Sequence, residues 1–317
     1  MAPKYLYFDV ILRTSIFPML FGVTVAWHAG VLEQSASSAL AFLIALIGII
    51  LIQGVIEHGL DVLKDKGGFS AFRYHADQNE QQKITKSVRI ATLMLIPLAL
   101  MMIILWRPWE LLIGIMAYRA AHLYVSTHNE WYSVFGFMLS FSAGYFAVTN
   151  APTTAWVAGA MLTGFIMKAS QAMYRLDDYF CDDFLSSKTN MQRALIQYYR
   201  NIFRNTLHLI PLLATAIILF PEVTVNLSLW YIYLAGGIIF AYQVINLKDK
   251  TRQEVNMLPL FVAIVAVEII SGNISVRYLI ASAITWYCFL RFWKNRHAMC
   301  NIFYCSLNPV PKTEVPR

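Results

Sequence analysis

Charged residues are scarce in this chain. Asp, Glu, Lys and Arg make up 14% of the 317 residues, whereas they make up about a quarter of an ordinary soluble domain. Hydrophobic residues account for 58% of the chain, and the mean hydropathy is +0.54. So little charge excludes an ordinary soluble globular domain and predicts an integral membrane protein.

The chain also lacks a low-complexity tract, a separate soluble domain and a cleavable signal pattern. Asp9 and Arg13 interrupt the N-terminal segment before its first apolar run begins, so we expect that run to be a mature helix. The four cysteines fall on the side that the charge pattern assigns to the cytoplasm, where disulfides are rare. We expect a single integral-membrane domain over residues 1–317.

Apolar runs recur along the sequence, and several approach the roughly 20 residues that a helix needs to cross a bilayer. The predicted spans are 15–31, 38–57, 89–106, 109–126, 131–149, 154–174, 204–220 and 226–246. Residues 257–271 and 277–293 follow as either two crossings or a ninth helix with a re-entrant partner. These runs lack the alternation of barrel strands. The predicted fold is therefore an all-α polytopic membrane protein with nine or ten transmembrane helices.

Basic residues are distributed unevenly between the two sets of connections. Of the 25 Lys and Arg residues, all lie in the N-terminal arm, the long loops or the C-terminal tail except Arg107, Arg119, Lys168 and Arg277. The positive-inside rule then makes 58–88 and 175–203 cytoplasmic cap loops and 294–317 a cytoplasmic tail. This asymmetry supplies most of the net charge of +7, so no nucleic-acid partner is expected.

The stretch IQGVIEHGLDVLKDKGG, residues 52–68, ends an apolar run with three acids. Glu57, Asp61 and Asp65 follow one another at intervals of four residues, which places them on one face of an α-helix. We name these three residues the first acidic motif.

A second acidic motif lies in MYRLDDYFCDDF, residues 173–184. Tyr174, Asp178 and Asp182 have the same spacing of four, and they follow the sixth predicted span as the first motif follows the second. That recurrence predicts two related halves that present their carboxylates at the same membrane depth.

Carboxylates at the C-terminal end of a helix are repelled by the helix dipole and by one another, so a cation should compensate them. Mg²⁺ takes carboxylate oxygens and binds substrate phosphates, and the two motifs together predict a Mg²⁺–diphosphate site. Two other interpretations stay open, namely acids that solvate helix ends and an ion or proton pathway. The acids cluster at one membrane face, which favours a site over a pathway.

The same segments resemble the UbiA superfamily of intramembrane prenyltransferases, and most of all its dihydroxynaphthoate branch. The resemblance covers about residues 10–275 and also rests on LRTSIFPMLFGV, HNEWYSVFGFMLSFSAGYFAVT and SSKTN. The sequence departs from the family at Glu57, where the family has Asn, and at His58, where the branch has Asp. AYRAAHLYVST replaces the stretch that helps to form the family's prenyl and acceptor pocket, so the acceptor stays open.

The resemblance implies a helical barrel in which Mg²⁺, held by acids of both motifs, binds a polyprenyl diphosphate. The implied metal ligands are Asp61, Asp65, Asp178 and Asp182, with Glu57 as either a ligand or a general base. The candidate cations for the diphosphate are Lys188, which matches a family lysine, and Lys64, Arg73, Arg119, Lys168 and Arg175. Lys168 has the alternatives of countering a buried acid or of snorkelling to the membrane interface. Tyr174 is the first candidate to stabilise an allylic cation, ahead of Tyr118, Tyr124, Tyr132, Phe135, Phe141 and Tyr145.

The expected activity is Mg²⁺-dependent transfer of a prenyl group to an aromatic or quinone-precursor acceptor, for which His122 and His128 are candidate acid–base groups. A terpene cyclase that ionises the same diphosphate without an acceptor is one alternative. A transporter or lipid-binding membrane protein is the other.

Overall fold

The computed structural model describes residues 12–64, 78–127, 129–164, 167–168 and 276–294. These residues form helices and turns and contain no strand, which confirms the helical class. Within them, two helices are long and apolar enough to cross a membrane by length and composition, Ala36–Asp61 and Gln81–Ile104.

Helix α1 consists of a π-helical turn, Leu12–Ile16, followed by the α-helix Phe17–His28. Pro18 lies in the first turn of the α-helical part, directly after the π-helical turn, where its missing N–H removes one backbone donor from the continuous helix. The helix ends at Gly30, whose φ of 71° is in the left-handed region. The Gly30 and Val31 amides donate to the Trp27 and Ala26 carbonyls, which is the hydrogen-bond pattern of a Schellman cap.

Helix α2 is built from three consecutive helical segments. An α-helix, Ala36–Ile49, leads into a π-helix, Ile50–Glu57, and a final α-helical segment, His58–Lys64. Its start is fixed by Ser35, which accepts a hydrogen bond from the Ser38 amide in a capping box. A π-helix of this length is unusual, and π-helical turns often mark functional sites.

Helices α3, Gln78–Ile104, and α4, Pro108–Thr127, form an antiparallel pair joined by a tight turn. Trp106 occupies the left-handed position of this turn, with φ 56°. The Trp106 and Arg107 amides donate to the Ile103 and Met102 carbonyls, so α3 also ends in a Schellman motif. Pro108 then begins α4, because its fixed φ suits the first helical position.

Helix α5, Glu130–Ala147, follows α4 after a short connection and is capped by Asn129, whose side chain accepts from the Trp131 amide. Helical residues 154–164 form α6. Helix α7, Val276–Lys294, packs beside the start of α2, where the rings of Tyr278 and Phe42 lie 5.2 Å apart.

The helix bounds differ from the predicted spans mainly where polar residues continue a helix. The fourth and fifth spans agree with α4 and α5 to within two residues, whereas α3 begins eleven residues before its predicted span. Gln, Glu and Lys at the start of α3 are good helix formers, and hydropathy does not detect them. Residues 58–64 and 78–88 of the predicted 58–88 loop are therefore helical. The predicted spans 204–220, 226–246 and 257–271, the 175–203 loop and nearly all of the 294–317 tail lie outside the described residues.

The two ends of the helix bundle are distinguished by their contacts. At one end, here named the Arg107 end, Arg107 forms an ion pair with Glu33, and the Glu33 amide donates to the Val148 carbonyl. The turns after α1, α3 and α5 therefore meet there. At the opposite end, named the Asp61 end, the final segment of α2 contacts α3 and α4.

Helices α1 and α5 approach each other closely at two glycines. A Cβ atom on Gly144 would collide with the Met19 carbonyl oxygen, and one on Gly22 would collide with the Phe141 carbonyl oxygen. Both obstacles are backbone atoms, which cannot rotate away. Small residues of this kind let helix backbones pack directly on each other in membrane proteins.

We expect Gly144→Ala to destabilise the protein by about 1–3 kcal/mol, because the added methyl group overpacks a backbone contact. Gly114→Ala is the matched control, since a Cβ atom on Gly114 meets nothing within 4 Å and alanine favours a helix by roughly 0.5–1 kcal/mol. Thermal unfolding in detergent measures both. Equal shifts in the two variants would contradict the close α1–α5 contact.

Apolar side chains cover the outer face of α3. Leu93, Ile96 and Ile104 are 64%, 59% and 81% exposed, and only 17% of the most apolar window of α3 is buried, against 67% for α2. An exposed apolar face of this extent is typical of a surface that lipid or another protein covers.

Candidate functional site

A line of buried polar contacts crosses the bundle near the Asp61 end. The Ser15 hydroxyl of α1 donates to the Gln53 side-chain oxygen at 3.3 Å, and the Gln53 amide donates to the Gly136 carbonyl of α5 at 2.9 Å. Ser15 and Gln53 both lie in π-helical segments and are buried. These bonds fix the rotation of α2 directly before the first acidic motif.

The first two acids of that motif point into the protein. Glu57 is 8% exposed and Asp61 is 4% exposed, and both follow Gln53 on the same face of α2. Asp61 lies near enough for its charge to act on Glu57. Acids that only solvated a helix end would be exposed, so that interpretation does not describe Glu57 and Asp61. Two buried carboxylates one turn apart can supply oxygen ligands to a divalent cation.

Two cationic side chains and one histidine, from α2 and α4, also lie at the Asp61 end. Lys64 and Arg119 are exposed, and the charges of both act on the His122 ring. His122 packs against Tyr118 with ring centroids 4.5 Å apart, and its Nε2 atom has no hydrogen-bond partner within the described part of the chain. Lys64 and Arg119, two of the cations predicted to bind diphosphate, therefore both lie within electrostatic range of His122.

Lys168 has a different environment from the other predicted cations. Its ammonium group lies 2.6 Å from a carboxylate oxygen of Glu130 and 5.0 Å from the centre of the Trp131 ring. Lys168 is 3% exposed and the Glu130 side chain is 12% exposed. These contacts are those of a lysine that counters a buried acid, one of the alternatives that the sequence left open.

An apolar cavity of about 380 Å³ lies between α2, α3 and α4. It extends along α4 from Glu110, near the Arg107 end, to Tyr118, towards the Asp61 end. Eight residues of helix separate those two positions, which corresponds to roughly 12 Å. Ile52, one residue before Gln53, lines its inner part. The cavity thus leads towards the polar groups at the Asp61 end.

The remaining predicted site residues fall outside the part of the chain that the structure describes. They are Asp65, Arg73, His128, Tyr174, Arg175, Asp178, Asp182 and Lys188. Within the described ranges, no three His, Cys, Asp or Glu side chains form a group that could hold a metal ion. Two of the five predicted metal ligands, Glu57 and Asp61, are described.

Two of the aromatic candidates serve packing at some distance from the acids. Phe141 is fully buried, with its ring 5.3 Å from that of Phe21. The Tyr145 hydroxyl bonds to the Ala151 carbonyl and the Thr153 hydroxyl, near the Arg107 end. These contacts stabilise the α1–α5–α6 core.

Sequence reasoning missed several functional candidates. The Ser15–Gln53 bond joins residues 38 positions apart, as does the Lys168–Glu130 pair, and no local pattern predicts such partners. Glu110 also escaped notice, because an acid in the first turn of a helix is ordinarily explained by the helix dipole. Its burial, at 5% exposure, is visible only in the folded chain.

Comparisons with known proteins add no relative: the chain matches no family model, no curated protein and no solved structure.

Proposed function

We propose that this protein is an integral, multi-pass membrane enzyme that ionises a polyprenyl diphosphate with the help of Mg²⁺ and transfers the prenyl group to a small aromatic or quinone-precursor acceptor. One observation carries the proposal. The carboxylates of Glu57 and Asp61 are buried on one face of an apolar helix, at the end where Lys64, Arg119 and His122 also gather. The UbiA-like motifs of the sequence give that arrangement its chemical interpretation.

The exposed apolar face of α3 supports a membrane location, because such a face is stable in lipid and costly in water. The uneven distribution of Lys and Arg supports an orientation with the Asp61 end in the cytoplasm. In that orientation the diphosphate lies at the cytoplasmic rim and the prenyl chain extends between the helices. The spans and loops beyond the described residues complete nine or ten crossings in this proposal.

The donor set fits a hard divalent cation. Glu57 and Asp61 provide carboxylate oxygens one helical turn apart, and Asp65, Asp178 and Asp182 are the proposed further ligands. Mg²⁺, when bound, supplies Lewis-acid stabilisation of charge on the leaving diphosphate.

The side chains have distinct roles in the proposed reaction. Asp61 and Asp178 hold the cation, while Lys188, with Arg73, Arg175, Lys64 and Arg119, binds diphosphate oxygens. Cleavage of the C–O bond leaves both electrons on diphosphate and an allylic cation on the prenyl chain, and Tyr174 is the proposed residue that stabilises this cation. The acceptor carbon then bonds to the prenyl carbon and loses a proton, for which Glu57 is the candidate base when it is not a ligand.

The test is release of diphosphate from purified protein in lipid nanodiscs with Mg²⁺ and prenyl diphosphates of several chain lengths. Release that depends on an added hydroxylated naphthoate or benzoate is the expected result. A cyclic hydrocarbon or alcohol formed without acceptor would assign a terpene cyclase instead. If no chain length gives diphosphate with or without acceptor, the enzyme proposal fails and a transporter or lipid-binding protein replaces it.

A further inference from the structure

The cavity between α2, α3 and α4 opens onto the apolar outer surface of the protein. Ile96 and Ile115 both line the cavity, and they are 59% and 60% exposed. The opening therefore lies in the face that lipid would cover, between α3 and α4. A molecule already dissolved in the bilayer can enter here without passing through water.

Two glycines create much of this space. Gly48 of α2 and Gly114 of α4 line the cavity, and a Cβ atom on either would meet nothing within 4 Å. Neither has the positive φ that glycine alone tolerates, and no neighbouring backbone approaches them. A glycine inside a helix costs roughly 0.5–1 kcal/mol relative to alanine. The helices thus carry a cost at two positions whose structural effect is to keep the cavity open.

One buried polar group stands at the Arg107 end of this apolar space. Glu110 lines the cavity and is 5% exposed, and its Oε1 atom has no hydrogen-bond partner in the described residues. Burying a carboxyl group without a hydrogen-bond donor is unfavourable. A donor carried by a ligand would satisfy Glu110.

The surroundings of Glu110 restrict the chemistry of that donor. Arg107 lies near enough for its positive charge to act on Glu110, and it is itself buried and paired with Glu33. A cationic head group would be repelled by Arg107, and any charged group would lose its hydration in the apolar cavity. A neutral donor remains, of which a hydroxyl group is the smallest. A water molecule is the competing occupant, because Nε and Nη1 of Arg107 also have no partner in the described residues and, with Glu110, supply the two to four polar partners that a buried water needs. If water occupies this position, the alcohol and the ether compared below label equally.

We propose that this cavity binds a lipid alcohol whose apolar part is one chain or one fused ring system. The alcohol enters from the bilayer, and its hydroxyl group donates a hydrogen bond to Glu110. The volume of about 380 Å³ lies in the lower part of the range of ligand pockets, about 300–1,000 Å³. That size suits one apolar chain and excludes a two-chain lipid with its head group. The proposal is independent of the diphosphate chemistry at the Asp61 end.

The test compares a photoreactive long-chain alcohol with its methyl ether, which has the same chain but no donor. Both are incorporated into nanodiscs with the full-length protein, irradiated, and mapped by mass spectrometry. We expect the alcohol to label peptides of α2, α3 and α4 roughly tenfold more than the ether does, as one hydrogen bond to a carboxylate allows. Glu110→Leu should remove that preference while leaving the ether unchanged.

Cavity-filling variants give a second, graded readout. Gly114→Ala adds one methyl group and should reduce labelling by both probes, and Gly114→Leu should abolish it, with Gly48→Leu as an independent repeat. Thermal stability of each variant shows that it remains folded. Equal labelling by alcohol and ether in the wild-type protein, or labelling that persists in both leucine variants, would overturn the proposal.

Discussion

Replacing Asp61 by asparagine should lower Mg²⁺-dependent diphosphate release by on the order of 10²- to 10³-fold, the loss typical of removing one electrostatic contact to a developing charge. Asp61→Asn keeps the size and polarity of the side chain and removes its charge. Thermal unfolding shows that the variant remains folded.

Glu33→Gln is the matched control for this experiment. It also removes one carboxylate charge, but at the Arg107 end and from a side chain that is 44% exposed, so diphosphate release should stay near the wild-type rate. Raising the Mg²⁺ concentration should partly restore Asp61→Asn, since a lost ligand weakens metal binding. An Asp61→Asn variant with full activity would separate the first acidic motif from catalysis.

Replacing Lys168 by methionine should destabilise the protein by about 1–3 kcal/mol, because the partly buried carboxylate of Glu130 loses a charge-assisted hydrogen bond. Methionine preserves most of the volume of lysine, so packing changes little. The effect is measured by thermal or denaturant unfolding in detergent. Lys168→Arg, which retains the charge, should be affected much less.

The double variant Glu130→Gln with Lys168→Met is the decisive comparison. Removing both charges of a buried pair is often nearly neutral, so most of the lost stability should return. A double variant as unstable as Lys168→Met would show that Lys168 has a role other than neutralising Glu130. A stable double variant that no longer releases diphosphate would assign Lys168 to the substrate.

The pattern of apolar and polar residues was sufficient to predict the bounds of the helices whose flanking residues become polar at both ends. Helix α4 begins at Pro108 and α5 begins after Asn129, and both residues are ordinary helix-start signals. The start of α3 could not be predicted from hydropathy, because its first turns are polar. The π-helical segment of α2 was not predicted, because the periodicity of apolar residues did not distinguish it from the α-helix on either side.

The site was predictable to the extent that it depends on spacing along one helix. Intervals of four placed Glu57 and Asp61 on one face, and both are buried in the folded chain. Spacing does not say which face points inward, and it cannot pair Lys168 with Glu130. The cavity was equally hidden, because it arises from two glycines on different helices, Gly48 and Gly114, whose significance depends on the distance between those helices.

The π-helical segment Ile50–Glu57 sets the rotation of the two acids around the helix axis relative to the apolar part of α2 that precedes it. Each residue of an α-helix advances the chain by about 100° around the axis. Deleting a single residue from this segment would therefore rotate both acids away from the interior, while the apolar part before it remained packed. The direction in which the carboxylates point therefore depends on the number of residues in this segment. We expect the protein to tolerate substitutions between residues 50 and 57 far better than insertions or deletions there.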